Sequence, residues 1–166
     1  MKKAIRFIML CMLAAIIILS SCGCINIPKT YSGEGITITM GSGFKEKAEA
    51  SSTIYWERSD AMLKVIKETF SMLATAGLNR YSSLLEYMEA VLNNNDYGSV
   101  AVQRTESDKF LYMTYEYTVN NVSYFYLSAV YKGTDAFWLC TFASLSSEKE
   151  KFEPKFLAWA ETVTVA

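Results

Sequence analysis

Hydrophobic and polar positions alternate most clearly between Lys109 and Leu145. Two turn signals, Asn120-Asn121 and Lys132-Gly133-Thr134-Asp135, divide this stretch into three apolar runs. In Phe110 to Val119 the odd positions Leu111, Met113, Tyr115, Tyr117 and Val119 are apolar or aromatic, and the even positions are mixed. In Val122 to Tyr131, one side carries Val122, Tyr124, Tyr126 and Val130, and the other carries Phe125, Leu127, Ala129 and Tyr131. In Ala136 to Ala143, Trp138, Cys140 and Phe142 oppose Phe137, Leu139 and Ala143. A period of two in β-branched and aromatic residues predicts three consecutive antiparallel strands. The second and third are apolar on both faces, so both faces need cover. Asparagine tolerates positive φ, which suits Asn120-Asn121 to a two-residue hairpin loop. Gly133 is expected to serve the second loop in the same way. Asn121-Val122-Ser123 matches a glycosylation sequon and reads as a coincidence at this turn.

The rest of the chain should extend or cover that sheet. Ile36 to Met40 predicts a first strand, closed by Gly41-Ser42-Gly43-Phe44, and Ser52 to Arg58 predicts a second. From Asp60 the period changes to 3.6: Met62, Val65, Ile66, Phe70 and Leu73 share one helical face, with Asp60 as cap and Gly77 after the end. A second helix follows Ser83, where Ser83-Leu84-Leu85-Glu86 has capping-box spacing, with a stripe of Leu84, Leu85, Met88, Val91 and Leu92. Ser99 to Arg104 should open the main sheet. After it, Ser147-Glu148-Lys149-Glu150 offers another capping box, but Pro154 places the start of regular helix near itself. Phe156, Leu157 and Ala160 should face the core, and Thr162 to Val165 should form a last strand. The predicted order is ββααββββαβ. The expected class is α+β: a central antiparallel sheet of about six to seven strands with helices on both faces.

The N-terminus supplies an address. Lys2, Lys3 and Arg6 precede an unbroken apolar run of 13 residues, Phe7 to Leu19. That is the length of a signal-peptide core and short for a bilayer span. Leu19-Ser20-Ser21-Cys22 resembles the bacterial lipobox, in which small residues precede a cysteine. The resemblance implies a diacylglyceryl group on the Cys22 thiol, cleavage between Ser21 and Cys22, and a membrane anchor of two or three acyl chains. The other reading is an ordinary secretory leader with a chance cysteine. The expected organisation is a lipoprotein signal peptide at 1–21, a lipidated cysteine and short tether at 22–34, and a single domain at 35–166.

Loss of Lys2, Lys3 and Arg6 with the leader leaves 13 basic against 17 acidic residues, a net charge of −4. That balance gives no footprint for nucleic acid or for anionic lipid. There is no histidine, so histidine zinc sites and Ser-His triads are excluded. No CxxC pair or phosphate-binding glycine loop is present. Cys140, mid-strand, reads as a small buried hydrophobe, and Cys24 lies beside the anchor. The carboxylates Glu57 and Asp60, Glu86 and Glu89, and Glu106 and Asp108 show no catalytic spacing with a nucleophile. The aromatics Tyr112, Tyr115, Tyr117, Tyr124, Tyr126, Tyr131 and Trp138 read mainly as sheet core and cross-strand pairs. The hairpin tip around Asn120 and Asn121 is the place where some of them would meet a ligand or a partner.

Three features together are similar to PsbP-like bacterial lipoproteins: Phe137-Trp138-Leu139-Cys140-Thr141-Phe142 closing a strand; Phe156-Leu157-Ala158-Trp159-Ala160 with Val163 after it; and Ile36–Met40 with Gly41-Ser42-Gly43-Phe44. The resemblance spans residues 35–166 and implies the α/β/α sandwich shared by PsbP and a yeast Ran-binding import factor. It implies a binding or assembly factor, with no catalytic residue set to carry over. Metal-binding histidines reported for some PsbP proteins have no counterpart here. The expected function is a lipid-anchored extracytoplasmic module contacting another envelope protein, without catalysis, cofactor or nucleic acid. The alternative is a small-ligand or ion-binding lipoprotein of the cell envelope.

Overall fold

The computed structural model describes residues 27–95 and 99–166. In chain order the strands before the first helix are β1 (Pro28–Gly33), β2 (Ile36–Gly41), β3 (Lys45–Glu46), β4 (Ile54–Arg58) and β5 (Ala61–Thr69). Two helices follow, α1 (Phe70–Leu73) and α2 (Leu84–Asn94). Then come β6 (Gln103–Arg104), β7 (Leu111–Val119), β8 (Val122–Lys132), β9 (Ala136–Leu145), α3 (Lys149–Glu161) and β10 (Thr164–Val165). Seven strands form an antiparallel sheet in the order β3-β4-β5-β9-β8-β7-β6, and β1-β2-β10 form a second, three-stranded sheet.

The alternation seen in the sequence sorts the large sheet into two faces. Leu63, Val65, Phe125, Leu127, Cys140 and Phe142 point to one face and are fully buried there beneath α3 and the small sheet. Phe156 of α3 stacks against Phe142 and Phe125, at 5.4 and 6.1 Å between ring centroids. Leu111, Met113, Val130 and Phe137 point to the other face, where α2 covers them. Tyr87 of α2 stacks on Phe137 at 4.5 Å. The mixed α+β class, the antiparallel sheet and the helices on both faces agree with the sequence reading. So does the β7–β8 hairpin, in which Asn120 and Asn121 both hold positive φ, 50° and 64°, and Val119 pairs with Val122. The capping box at α2 is formed: the Glu86 amide donates to Ser83 Oγ, and the Ser83 amide donates to the Glu86 carboxylate.

Other expectations are corrected. The helix read from Asp60 is strand β5, hydrogen-bonded to β4 on one side and β9 on the other. Ala61, Leu63 and Val65 are its buried side. The run Ala61-Met62-Leu63-Lys64-Val65-Ile66 satisfies both periods, and pairing on two edges decides for the strand. Helix survives only in Phe70–Leu73, capped by Thr69, while Asp60 bonds Arg58 instead. The tether read at 22–34 contains β1 from Pro28 onward. Glu34 and Gly35, at φ 49° and 97°, make a two-residue hairpin turn to β2, and Tyr31 anchors the strand by donating its phenol to the Gly41 carbonyl. Helix α3 starts at Lys149, five residues before Pro154, and Glu148 caps it without a side-chain bond, so the second capping box is not formed. Burying Phe152 and Phe156 on one side outweighs the backbone bond that Pro154 cannot make. Leu157 is only partly buried. The strand expected at Ser99 shrinks to Gln103–Arg104.

Gly133 is needed for space, not for positive φ. A Cβ there would overlap the Ala166 carbonyl oxygen, which accepts from the Thr134 amide at 3.0 Å. The Ala166 amide in turn donates to the Gly35 carbonyl at 2.9 Å, tying β10 to the β1–β2 turn. Gly133→Ala is therefore expected to push the C-terminal strand off β2 and destabilise the domain by about 1–3 kcal/mol, read from urea unfolding midpoints. Deleting Ala166 in the same variant should return most of the loss.

Candidate functional site: a tyrosine-lined cavity on the sheet face

The surface that stays open follows from element lengths. Strand β8 has 11 residues, on the order of 36 Å of extended chain, whereas the 11-residue helix α2 is only about 16 Å long. Among the described residues α2 covers one end of its sheet face. Among the described residues the same face continues toward the β7–β8 hairpin without a helix above it. The register fixes what stands there. Tyr115 lies opposite Tyr126 and Tyr117 opposite Tyr124 on β7 and β8. Tyr126 pairs onward with Ala143, and Ala143 with Met62. Tyr115 and Tyr126 stack with centroids 5.0 Å apart and planes within 9°. Tyr124 and Tyr126 lie 6.3 Å apart.

Together with the β4–β5 turn these side chains line a cavity of about 450 Å³. Its walls include Tyr55, Met62, Val119, Tyr124, Tyr126, Ala143 and Leu145, with Glu57, Arg58 and Asp60 at the rim. The rim charges are paired. Arg58 Nε donates to Asp60 Oδ1 at 2.5 Å, and Glu57 meets Lys47 at 2.5 Å. The hydrogen bond from Lys47 to Glu57 holds the lysine ammonium above its usual range. Burial pushes the Tyr55 phenol up, so it stays a neutral donor at physiological pH. The site is thus aromatic and hydroxyl-bearing, with its rim charges paired. It suits apolar and hydrogen-bonding contact more than proton transfer.

The sequence-derived candidates divide accordingly. Trp138 and Tyr131 are buried, Tyr112 is partly buried against the same core, and Cys140 is a free, buried thiol whose pKa burial raises. Tyr117 is exposed and Tyr124 and Tyr126 are half-buried along the cavity, toward the hairpin tip singled out from the sequence, whereas Tyr115 packs against the α2 core cluster. Tyr55 and Met62 were missed as site residues. Met62 falls on the helical stripe read from the sequence, and only the β5–β9 register brings it beside Ala143. Of the paired carboxylates, Glu57 and Asp60 reach the rim, each held by a cation. Among the described residues no group of three or more cysteine, aspartate and glutamate side chains converges as a metal site. Cys22, Ser21 and Cys24 lie outside the described residues. No helix among the described residues is long and apolar enough to cross a membrane.

Two interior phenols face away from this site. Tyr131 donates to the Ala160 carbonyl at 2.8 Å, and Tyr87 donates to Glu68 at 2.5 Å. Burial, aided at Tyr87 by Glu68, raises both folded pKa values above the ordinary value near 10. A raised folded value means that the unfolded chain loses its proton first. The stabilisation is complete below pH ~10 and is lost as pH climbs from there toward the folded values, at up to about 1.4 kcal/mol per pH unit for each phenol. Denaturant midpoints should hold from pH 8 to 9.5 and fall above 10, and Tyr131→Phe should flatten that fall.

Solved structures share this architecture. Cyanobacterial PsbP (CyanoP) from Synechocystis sp. PCC 6803 is similar with a TM-score of 0.51 and 17% identity, over 88% of this chain and 98% of that one. The Ran-binding protein Mog1p of Saccharomyces cerevisiae gives 0.51 at 11% identity, over 84% and 95%. A Bacteroides thetaiotaomicron protein gives 0.52 at 11% identity, over 84% of this chain and 48% of that one. The fold is therefore the PsbP/Mog1-like α+β sandwich. No family model matches the sequence, and no curated protein matches it.

Proposed function

We propose that the protein is a lipid-anchored, extracytoplasmic binding module that contacts another envelope protein through the tyrosine face, without catalysis. The observation that carries this reading is the half-covered sheet face. Tyr55, Tyr124 and Tyr126 line a cavity whose rim charges are already paired. Tyrosine gives a large contact area at low entropic cost and a hydroxyl for the partner, which is why it is enriched at interfaces. The lipobox resemblance at Ser21-Cys22 supports the anchor. The absence of histidine from the sequence and the raised pKa of the buried Cys140 thiol argue against nucleophilic chemistry.

The test is capture in the native host. The full-length chain with a C-terminal tag is cross-linked in cells, solubilised in mild detergent and purified. One envelope protein should co-purify with the wild type, and Cys22→Ala should leave the membrane fraction and lose it. Normal membrane association with no specific partner would contradict the reading. A second reading rests on the cavity volume, which lies within the range of small-ligand sites. Calorimetric titration with uncharged, ring-containing envelope metabolites checks it, and flat titrations would remove it.

A further inference from the structure

The described chain begins at the same end of the domain as the β7–β8 hairpin. The Ile27 carbonyl accepts from the Ser42 amide at 3.0 Å, and the Ser42 carbonyl accepts from Arg58 Nη1 at 3.1 Å. Arg58 sits beside the β4–β5 turn, in the cavity wall that also holds Val119 and Leu145. Eight large apolar side chains are exposed among the described residues, and five gather at this end: Ile27 at 62%, Tyr117 at 57%, Leu145 at 45%, Val119 at 41% and Val122 at 40%. Several charged groups around them are paired, Arg58 with Asp60, Glu57 with Lys47, and Glu116 with Lys149, while Lys29 beside Ile27 lies over the Tyr31 ring. The opposite end is about 33 Å away along β8. Exposed Tyr81 lies there, in the loop whose Ser82 carbonyl accepts from Lys132 Nζ.

Chain length then decides the occupant. From Cys22 to Ile27 the chain spans at most about 18 Å however it is arranged. We infer that the hairpin tip Val119–Val122, with Tyr117, Leu145 and Ile27, rests in the headgroup layer of the bilayer that holds the Cys22 lipid. This rests on the lipid-anchor reading above. A tethered domain meets its own membrane at high effective concentration, so a small apolar tip is enough. Tyrosine and valine suit the boundary between headgroup and acyl chain, and paired charges make the contact insensitive to salt. The strands then stand on the membrane, and the open tyrosine face looks sideways along its surface.

The experiment uses the full-length protein, purified from its host and reconstituted in phosphatidylcholine vesicles containing brominated lipid. Tryptophan is placed at the tip by Val122→Trp, at a second tip position by Leu145→Trp, and at the far end by Tyr81→Trp. Each emission is read against the unsubstituted chain, whose Trp56, Trp138 and Trp159 are buried. Both tip tryptophans should blue-shift and lose emission with brominated lipid, unchanged by added salt, and the far-end tryptophan should not. Protein that floats with the vesicles but shows no tip quenching, or equal quenching at both ends, overturns the inference and leaves the anchor standing. Protein that does not float overturns the anchor reading and this inference with it.

Discussion

Phe156→Ala is expected to destabilise the domain by about 3–5 kcal/mol, enough to leave much of the protein unfolded. Phe156 is fully buried on α3. Its ring meets Phe125 and Phe142 of the sheet and Phe152 and Trp159 of its own helix, all within 6.1 Å between centroids. Truncation removes the transfer free energy of a benzyl group and leaves a cavity walled by rigid rings. Those rings are fixed on one sheet and one helix, so the hole closes poorly. Pro154 adds to the effect, because α3 has one backbone bond fewer to hold it once the ring contacts go. Urea unfolding followed by tryptophan fluorescence checks this, and Phe156→Leu should recover more than half of the loss.

Tyr124→Ala with Tyr126→Ala should weaken partner binding by about thirty-fold or more while the fold survives. Central aromatic anchors at interfaces cost roughly 2 kcal/mol or more when truncated, which is about thirty-fold in Kd. Both side chains are only half-buried, so their removal opens no closed cavity. The cross-strand stack of Tyr126 on Tyr115 is lost, at a cost of about 1 kcal/mol to stability. A binding loss far larger than the stability loss is the signature of a contact surface. Tyr131→Phe makes the contrast: it removes a buried hydroxyl bonded to Ala160 and should lower stability without touching binding.

The sequence was most legible where local chemistry and tertiary pairing agree. The β7–β8–β9 meander follows from alternation and from two asparagines that accept positive φ. Helix α2 follows from Ser83 and Glu86. Legibility failed where one segment satisfies two periods. Ala61–Thr69 has a helical stripe and an alternating buried side, and only strands far along the chain, β9 above all, select the second. The β1–β2 hairpin was hidden because Glu34 is an uncommon residue at positive φ and Gly33 and Gly35 look like linker punctuation. The tyrosine excess was visible, but its division into core and surface was not. Alternation put Tyr131 and Tyr126 on opposite faces, and it could not show that Tyr126 and Tyr124 line a surface cavity while the small sheet and α3 cover the other face.

The central claim is that the open half of the sheet face is the binding surface. Site-specific photo-cross-linking in living cells tests it most directly. A benzophenone amino acid replaces Tyr124 in one strain and Tyr81, at the far end, in another. The account predicts one discrete adduct with an envelope protein from position 124, competed by excess domain carrying an intact tyrosine face and absent from position 81. No adduct at 124, or the same adduct from both positions, would contradict it.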